Sequence, residues 1–360
     1  MSRISFCLVG GGWRAQFYLR VARALPDLFS VTGILVRDRA KAETIERTWG
    51  VRTYRDVEAL TKHGEPQFCV TCLPWAANPE TILRLVDLGV PVLSETPPAP
   101  DVPGLKGLVE RVRGSRGLVQ VAEEYHLRPL HIAQSEIIRR GLMGAVHHAS
   151  VSVGHGYHGI SLMRRLLGVA FEPARIHSFA FTYPIVQGPG KEGPPTREQV
   201  VEEKQELYVF QFPGERVGLV DFAGSQYFGW IRSDRLLVRG DRGQIEWDEV
   251  LMLKDFATPL RLRLERVESG RYGSLAAPSL QGFRFGDSWI WRNSYPAPLM
   301  DDEIALCEVL SRMGAYVETG AEFYPLAEGA HDHYLYLRAQ ESADRGSAEV
   351  SATPADWGGA

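Results

Sequence analysis

The sequence is poor in several features that would each mark a class of protein. It has four cysteines in 360 residues, too few for a disulfide framework in a chain of this size. No apolar run reaches the roughly 18 residues that a membrane-spanning helix needs, and the first such run, Ile4–Val9, is shorter than a signal-peptide core. Basic residues are not in excess, since 40 Lys and Arg stand against 44 Asp and Glu. We therefore expect a cytoplasmic protein with neither a nucleic-acid nor a membrane partner.

What the sequence does contain is typical of a globular protein. Hydrophobic residues make up 44% and charged residues 23% of the chain, so it can bury substantial cores and matches neither a disordered nor a fibrous composition. A chain of this length is too long for one core of usual size. We expect two domains and a small molecule as the partner.

The first 120 residues alternate short β-rich runs with amphipathic stretches of helical period. The β-rich runs lie at 4–9, 31–37, 68–73, 90–94 and 118–121. Strand and helix in alternation indicate right-handed βαβ units around a parallel sheet that is buried on both faces. The sequence therefore predicts an α/β protein in which residues 1–122 form a doubly wound Rossmann domain.

The rhythm changes after Val121, where strand-like runs come to dominate. Antiparallel strands behind a βαβ half predict an α+β domain over 123–345 with an open, mostly antiparallel sheet. Its exposed face would pair subunits into a homodimer or homotetramer. Two Gly- and Pro-rich runs, 187–195 and 270–286, are predicted as long loops, and 346–360 is predicted as a flexible tail.

A glycine triplet lies directly between the first predicted strand and the first predicted helix. Residues 10–15 read GGGWRA. Gly10 permits a tight turn, Gly12 lets the backbone approach a pyrophosphate, and Ala15 takes the place of the third glycine of a dinucleotide fingerprint. The helix N-terminus attracts the anion. The predicted cofactor-binding residues here are Gly10, Gly12, Trp13 and Arg14.

The end of the second predicted strand bears on the choice of cofactor. An acid there binds the ribose hydroxyls of NAD, whereas a neighbouring arginine accommodates the 2′-phosphate of NADP. The sequence offers both, as Arg37 and Asp38. It leaves NAD and NADP open.

Cys69 and Cys72 have CxxC spacing but fall within a strand-like run. Positions three apart on a strand face opposite sides, and a redox pair would lie on a turn that enters a helix. We interpret them as buried strand cysteines.

Two further turns carry a resemblance to a known family. The run 73–78 reads LPWAAN and the run 94–97 reads SETP, and together with the glycine turn they resemble, in order and spacing, the Gfo/Idh/MocA family of NAD(P)-dependent oxidoreductases. The resemblance implies that Leu73, Pro74 and Asn78 border the nicotinamide, with Asn78 in place of the family's histidine. It also implies that Glu95 and Thr96 lie in the Glu-Lys-Pro position, where Thr96 replaces the catalytic lysine.

A later segment extends the resemblance into the second half of the chain. The family carries Asp-x-x-x-His-x-x-Asp before a helix that ends Leu-Leu-Gly. Here His158 keeps the histidine, while Gly154 and Ser161 replace the two acids. The resemblance thus implies the family's fold, with only part of its usual site.

The missing lysine requires another acid or base, because Thr96 cannot act as a base at neutral pH. We expect His158 to be the general acid or base, since a histidine ring titrates near neutrality. Tyr157 or His155 would orient the substrate oxygen, and Glu95 is retained among the catalytic candidates.

Four polar or aromatic residues follow the last strand of the predicted parallel sheet, at the edge where such sheets bind ligands. They are Glu123, Glu124, Tyr125 and His126. The two carboxylates could hold sugar hydroxyls or act as a general acid, or be simple surface charge. No histidine or cysteine spacing predicts a metal site.

The main functional interpretation is an NAD(P)-dependent oxidoreductase that acts on a hydroxyl or ketone of a sugar, cyclitol or glycoside. Three alternatives remain open. Some relatives of the family are glycoside hydrolases that recycle a bound NAD, others are imine reductases of the thiazoline-siderophore type, and a third possibility is a nucleotide-binding sensor or scaffold without catalysis.

Overall fold

The computed structural model describes residues 3–270 and 278–353. Its contacts divide the chain into two units. The first comprises Met1–Pro129, Val267–Gly282 and Arg292–Ala330, and the second comprises Leu130–Arg266, Phe283–Trp291 and His331–Ala360.

The first unit is built on a six-stranded parallel sheet. Its strands are β1 (Ile4–Val9), β2 (Phe29–Leu35), β3 (Thr53–Tyr54), β4 (Phe68–Thr71), β5 (Val92–Ser94) and β6 (Val119–Val121). They pair in the order β3-β2-β1-β4-β5-β6. The order reverses between β1 and β4, the arrangement of a dinucleotide-binding Rossmann sheet. The predicted doubly wound fold is confirmed.

Five helices connect these strands. They are α1 (Trp13–Ala24), α2 (Arg39–Trp49), α3 (Val57–Gly64), α4 (Asn78–Asp87) and α5 (Val102–Ser115). An aspartate directly precedes three of them, and its carboxylate accepts a backbone N–H of the first turn at 2.7–2.8 Å; these caps are Asp38, Asp56 and Asp101. Such caps satisfy amide groups that the helix itself leaves unpaired.

The interior of this sheet is mostly apolar along its central strands. The Phe6 and Phe68 rings stack with centroids 5.6 Å apart, between β1 and β4. Cys69 is fully buried on β4 as predicted, whereas Cys72 lies just past the strand and is half-buried. The Sγ atom of Cys69 lies 3.0 Å from that of Cys7, so its close neighbour is on the adjacent strand.

A second sheet is mixed and mostly antiparallel, which confirms the predicted fold class. Its strands are β7 (Val146–Ser152), β8 (Ala174–Val186), β9 (Val200–Phe212), β10 (Arg216–Ala223), β11 (Arg235–Gly240), β12 (Gly243–Glu246), β13 (Glu249–Asp255), β14 (Thr258–Ser269), β15 (Ser279–Phe285), β16 (Ser288–Arg292) and β17 (Val350–Ala352). Across the described residues the order is β16-β15-β14-β13-β12-β11-β7-β10-β9-β8-β17. Its β7 and β10 pair in parallel.

Four further helices lie in the described ranges. They are α6 (Pro129–Arg139), α7 (Gly156–Leu167), α8 (Asp301–Thr319) and α9 (Leu326–Asp344). In the second unit α7 packs on β7 and β10, and Gly159 makes room for this contact because a Cβ there would lie 2.6 Å from Val220. None of the helices in the described ranges has both the length and the apolarity to cross a membrane.

Two stretches differ from the sequence prediction. The segment 270–286, predicted as a loop, contains β15, and its residues 271–277 lie outside the described ranges. The segment 346–360, predicted as a flexible tail, contains β17, which pairs with β8 through Val350 and Ile176; residues 354–360 are likewise outside the description. The three residues of β17 are too few to show a periodicity, and pairing with a neighbouring strand decides such a strand.

Helix α8 belongs by its contacts to the first unit. Buried Glu303 accepts a hydrogen bond from Arg20 of α1 at 2.5 Å, and Gly314 lets Ile4 approach because a Cβ there would lie 2.9 Å from that side chain. A single cut of the chain near residue 122, as the sequence predicts, would separate this helix from the elements against which it packs.

Candidate active site

The glycine turn between β1 and α1 is shaped to receive an anion. Gly10 has φ of 102°, and a Cβ there would lie 2.4 Å from the carbonyl oxygen of Cys72, so only glycine fits. Gly12 begins α1, and a Cβ there would meet nothing within 4 Å. No side chain caps this helix and its first turn has no acidic residue. Its N–H groups can therefore bind the pyrophosphate of a dinucleotide.

The turn after β2 contains the two residues predicted to select the cofactor. Asp38 begins α2, and its Oδ1 accepts the Lys41 backbone N–H at 2.7 Å. Arg37 is exposed, and the next arginine, Arg39, pairs with Glu43 at 3.0 Å. Asp38 thus stabilises the helix, and the cofactor roles of Arg37 and Asp38 stay predictions.

Arg14 joins two carboxylates at the carboxyl edge of the sheet. Its Nε donates to Glu95 Oε1 and its Nη2 donates to Glu124 Oε2, both at 2.7 Å. Tyr18, one turn further along α1, donates its hydroxyl to the same Glu95 oxygen at 2.5 Å. Glu95 directly follows β5 and Glu124 follows β6. The topology of the sheet, which brings the ends of parallel strands to one edge, is what assembles this carboxylate cluster of Arg14, Tyr18, Glu95 and Glu124.

Burial sets the electrostatics of the carboxylate cluster. It raises the pKa of Glu124 to about 7, with Asp302 and Glu95 adding to the rise against the opposing effect of Arg14. Although burial alone would lower it, the pKa of Arg14 lies well above its ordinary value because two carboxylates surround the guanidinium. Arg14 therefore stays charged, while Glu124 changes its protonation near neutral pH.

Asn78, predicted to border the nicotinamide, is buried and holds the turn that contains Glu95. Its Nδ2 donates to the Ser94 hydroxyl at 3.1 Å and to the backbone oxygens of Glu95 and Pro97 at 3.2 Å. Among the described residues its Oδ1 finds no hydrogen-bond partner. Such a buried, unsatisfied acceptor fits the amide donor of a nicotinamide.

The other residues of these turns lie at the same edge of the sheet. Leu73 and Pro74 follow β4 and lead into a short 3-10 turn, Trp75–Ala77. Thr96, half-buried, follows Glu95 and precedes Pro97 through a cis peptide bond. Trp13 is about half exposed and its ring lies 4.7 Å from that of Phe17.

Glu123 and Glu124, which follow β6, are buried, so the alternative that they are simple surface charge is wrong. Glu123 is 1% and Glu124 is 4% exposed. Glu123 Oε1 accepts the backbone N–H of Tyr125 at 3.1 Å, and the His126 ring lies 5.3 Å from that of Tyr324. Of the two acids, only Glu124 joins Arg14; a substrate-binding role for any of the four stays a prediction.

The second unit brings the other predicted residues together. His155 begins α7, and its Nδ1 lies 2.5 Å from the Tyr227 hydroxyl, which also accepts the His155 backbone N–H at 3.1 Å. The other ring nitrogen of His155 lies 3.3 Å from the Tyr157 hydroxyl. The His158 ring centroid is 5.0 Å from that of His155 and 4.5 Å from that of Tyr157.

Three further side chains, which the sequence did not predict, lie beside these residues. Tyr227 comes from a 3-10 turn after β10, and His333 and Tyr336 come from α9. The Tyr157 ring lies 5.5 Å from that of His333 and 6.2 Å from that of Tyr336. The only sequence signal for these residues is the i, i+3 spacing of His333 and Tyr336 on α9, which is equally typical of a packed helix face. We call His155, Tyr157, His158, Tyr227, His333 and Tyr336 the histidine cluster.

Burial lowers the pKa of His155 to about 3. The neighbouring His158, Lys191 and His333 lower it further, whereas Glu206 opposes them. His155 is therefore neutral at physiological pH and serves as a hydrogen-bonding group. Within the described ranges, no group of three or more His, Cys, Asp or Glu side chains could hold a metal ion.

The reversed parallel sheet with an open glycine turn at its centre defines a dinucleotide-binding protein of the Rossmann class. Residues 4–123 match the Gfo/Idh/MocA model, described as an oxidoreductase family with an NAD-binding Rossmann fold. The match confirms, over this part of the chain, the resemblance that the sequence motifs carry. The match supports an NAD-binding Rossmann fold over these residues.

Solved structures share the fold over nearly the whole chain. A levoglucosan dehydrogenase in complex with NADH and levoglucosan is 17% identical, with a TM-score of 0.70 and coverage of 97% of this chain and 99% of the other. An oxidoreductase from Agrobacterium radiobacter in complex with NAD+, L-tartaric acid and magnesium is 14% identical, with a TM-score of 0.67 and 98% coverage of both.

A third structure is an NAD binding oxidoreductase from Klebsiella pneumoniae. It is 16% identical, with a TM-score of 0.70 and coverage of 99% of this chain and 100% of the other. No curated protein matches this chain in sequence. At these identities the likeness shows a shared fold, so the substrate must be argued from the chain's own residues.

Proposed function

We propose that the protein transfers a hydride between NAD and a hydroxyl or ketone carbon of a sugar, cyclitol or glycoside. The observation that carries the proposal is the open glycine turn at the reversal of the sheet, with a titratable carboxyl group at the same edge. Levoglucosan and tartaric acid, bound in two structures of similar fold, both carry secondary hydroxyls. They support this class of substrate.

The residues that would hold NAD come from the first unit. The glycine turn and the α1 N-terminus would bind the pyrophosphate. Asp38 would bind the ribose hydroxyls, because no described residue bonds its Oδ2, while Arg39 is already paired with Glu43. This arrangement favours NAD over NADP. When bound, NAD supplies the hydride acceptor and its reduced form the donor.

The acid–base group is proposed to be His158, in agreement with the family resemblance. Thr96 has no group that takes up a proton at neutral pH, so the lysine of the family must be replaced. His158 lies against His155 and Tyr157. The neutral ring of His155 and the hydroxyl of Tyr157 can orient a substrate oxygen by hydrogen bonds. The role of His158 is then to take the hydroxyl proton during oxidation and return it during reduction.

The first experiment is native mass spectrometry of the purified protein, followed by denaturation and identification of any released nucleotide. Reversible binding of NAD or NADH, with turnover in a panel of polyols and ketoses, supports the proposal. NAD held at full occupancy with cleavage of glycosides would replace it with the redox-neutral hydrolase. Turnover of a carrier-bound thiazoline would favour the imine reductase. Cofactor binding without any turnover would favour the scaffold.

The proposed acid–base role has its own test. His158→Asn should lower kcat about a hundredfold and leave the Kd for NAD unchanged. His177→Asn is the matched control, because His177 is a partly exposed histidine on β8 that pairs with Glu349 at 3.2 Å. Equal activity of the two variants would exclude His158 as the acid or base.

A further inference from the structure

The two carboxylates of the carboxylate cluster are held unequally. Glu95 Oε1 accepts two hydrogen bonds, from Arg14 Nε and the Tyr18 hydroxyl, at 2.7 and 2.5 Å. Glu124 accepts one, from Arg14 Nη2 to its Oε2 at 2.7 Å, and no described residue donates to its Oε1. One guanidinium thus serves two buried carboxylates. The cluster carries a net charge of −1 when both are ionised and is neutral when Glu124 is protonated.

The cluster lies on the side of the sheet where the second half of a dinucleotide belongs. A dinucleotide spans both halves of a Rossmann sheet from the point of strand reversal. The strands β4, β5 and β6 make up the second half, and Glu95 and Glu124 follow two of them. With the ribose of the adenosine assigned to Asp38 after β2, the nicotinamide falls to the half that carries the cluster.

We propose that Glu124 is a proton-linked charge that couples proton binding to the oxidation state of the bound cofactor. Ionised Glu124 attracts the positive ring of NAD+, whereas protonated Glu124 suits the uncharged ring of NADH. The inference rests on the proposed function, because it needs NAD at this edge of the sheet.

Three groups near Glu124 keep their charge state near neutral pH. Arg14 stays charged, because the two carboxylates around it raise its pKa well above the ordinary value despite burial. Burial raises the pKa of the Tyr18 hydroxyl and that of the Cys72 thiol, so both stay neutral.

From α8, the carboxylate of Asp302 also faces Glu124. Asp302 is paired with Arg128 at 2.9 Å, so it repels the Glu124 charge only in part. The Glu124 pKa of about 7 places the expected transition in an accessible pH range.

The test is isothermal titration calorimetry of the wild-type protein at pH 7 with NAD+ and with NADH, each in buffers of different ionisation enthalpy. The dependence of the binding enthalpy on the ionisation enthalpy of the buffer gives the number of protons exchanged on binding. If NAD+ lowers the Glu124 pKa by one unit, its binding releases about 0.4 proton. NADH binding should take protons up. The ratio of the two Kd values should shift in favour of NAD+ by roughly tenfold from pH 6 to pH 8.

Two variants assign the exchanged proton. Glu124→Gln should abolish the difference between NAD+ and NADH in proton exchange. Glu123→Gln, which changes the adjacent buried carboxyl that bonds Tyr125, should keep it.

The possible results distinguish a failure of this inference from a failure of the proposed function. If the wild-type protein binds both cofactors with the same proton exchange, the inference is wrong and the proposed function stands. If it binds neither cofactor, the proposed function itself fails. The decisive measurement uses the wild-type protein, so it holds even where a variant does not fold.

Discussion

The carboxylate cluster of the first unit and the histidine cluster of the second show one physical effect with opposite results. Burial penalises the charged form of any group. For an acid the charged form is deprotonated, so the pKa of Glu124 rises to about 7. For a base the charged form is protonated, so the pKa of His155 falls to about 3.

The comparison reverses the roles that residue type alone suggests. A histidine is expected to titrate near neutrality and a glutamate to stay ionised. Here His155 stays neutral while Glu124 titrates near pH 7. The difference teaches that the group able to exchange protons at physiological pH is selected by its surroundings rather than by its reference pKa.

The largest effect is expected from removing the shared cation of the carboxylate cluster. Arg14→Met leaves two buried carboxylates without a counter-charge and should lower the free energy of unfolding by about 3 kcal/mol at pH 8. The loss should shrink towards pH 5, where Glu124 is protonated. Urea denaturation at both pH values measures it. Arg139→Met, which removes an exposed arginine paired with Glu136, is the control and should cost under about 1 kcal/mol.

A second prediction concerns the sign of the pH dependence due to Glu124. Its pKa is near 7 in the folded state and 4.5 in its ordinary state, so the folded state binds more protons between these values and its stability falls as pH rises. Relative to wild type, Glu124→Gln should gain about 3 kcal/mol in free energy of unfolding between pH 4.5 and pH 8. A pH-independent difference between the two proteins would contradict the assigned shift.

The histidine cluster should show the opposite slope. His155 has a pKa of about 3 when folded and 6.5 ordinarily, so the unfolded state binds more protons between these values and stability falls as pH falls below 6.5. At pH 5 the cost is about 2 kcal/mol. His155→Asn should remove this loss, which denaturation at pH 5 and pH 7.5 would measure. The same slope in variant and wild type would refute the assignment.

The smallest effect is expected from removing the hydroxyl of Tyr227, the hydrogen-bond partner of His155. The Tyr227 oxygen accepts the His155 backbone N–H, and a phenol O–H is a better donor than an imidazole N–H, so we expect Tyr227 to donate to Nδ1 and the proton to sit on Nε2. Nitrogen-15 NMR of labelled histidine should then show an unprotonated Nδ1. Tyr227→Phe should cost about 1 kcal/mol and redistribute the tautomers. Phe228→Leu, next in the chain, should leave the tautomer unchanged.

The first unit could be predicted well from the sequence because its signals are local. Alternating strand and helix patterns, the glycine turn and the motif around Glu95 each lie within a few residues, and a parallel sheet assembled from βαβ units has few possible arrangements. The open antiparallel sheet was predicted as a class. Its strands β15 and β17 were not, and for the three-residue β17 the reason is that pairing with the distant β8 decides it.

The sequence pointed to candidate residues but not to the contacts between them. The motifs drew attention to Arg14, Glu95 and Glu124 separately, but nothing in the sequence links positions 14, 95 and 124. Likewise, His155, Tyr157 and His158 are adjacent in the chain, whereas Tyr227 and His333 join them only through folding.

The sequence by itself determined the fold class and the glycine turn between the first strand and the first helix, because each depends on residue type at a local position. The tertiary structure alone decided which side chains share a charge and which are removed from water. The ends of parallel strands that are far apart in sequence meet at one edge of the sheet, and burial there determines the protonation of the groups they carry.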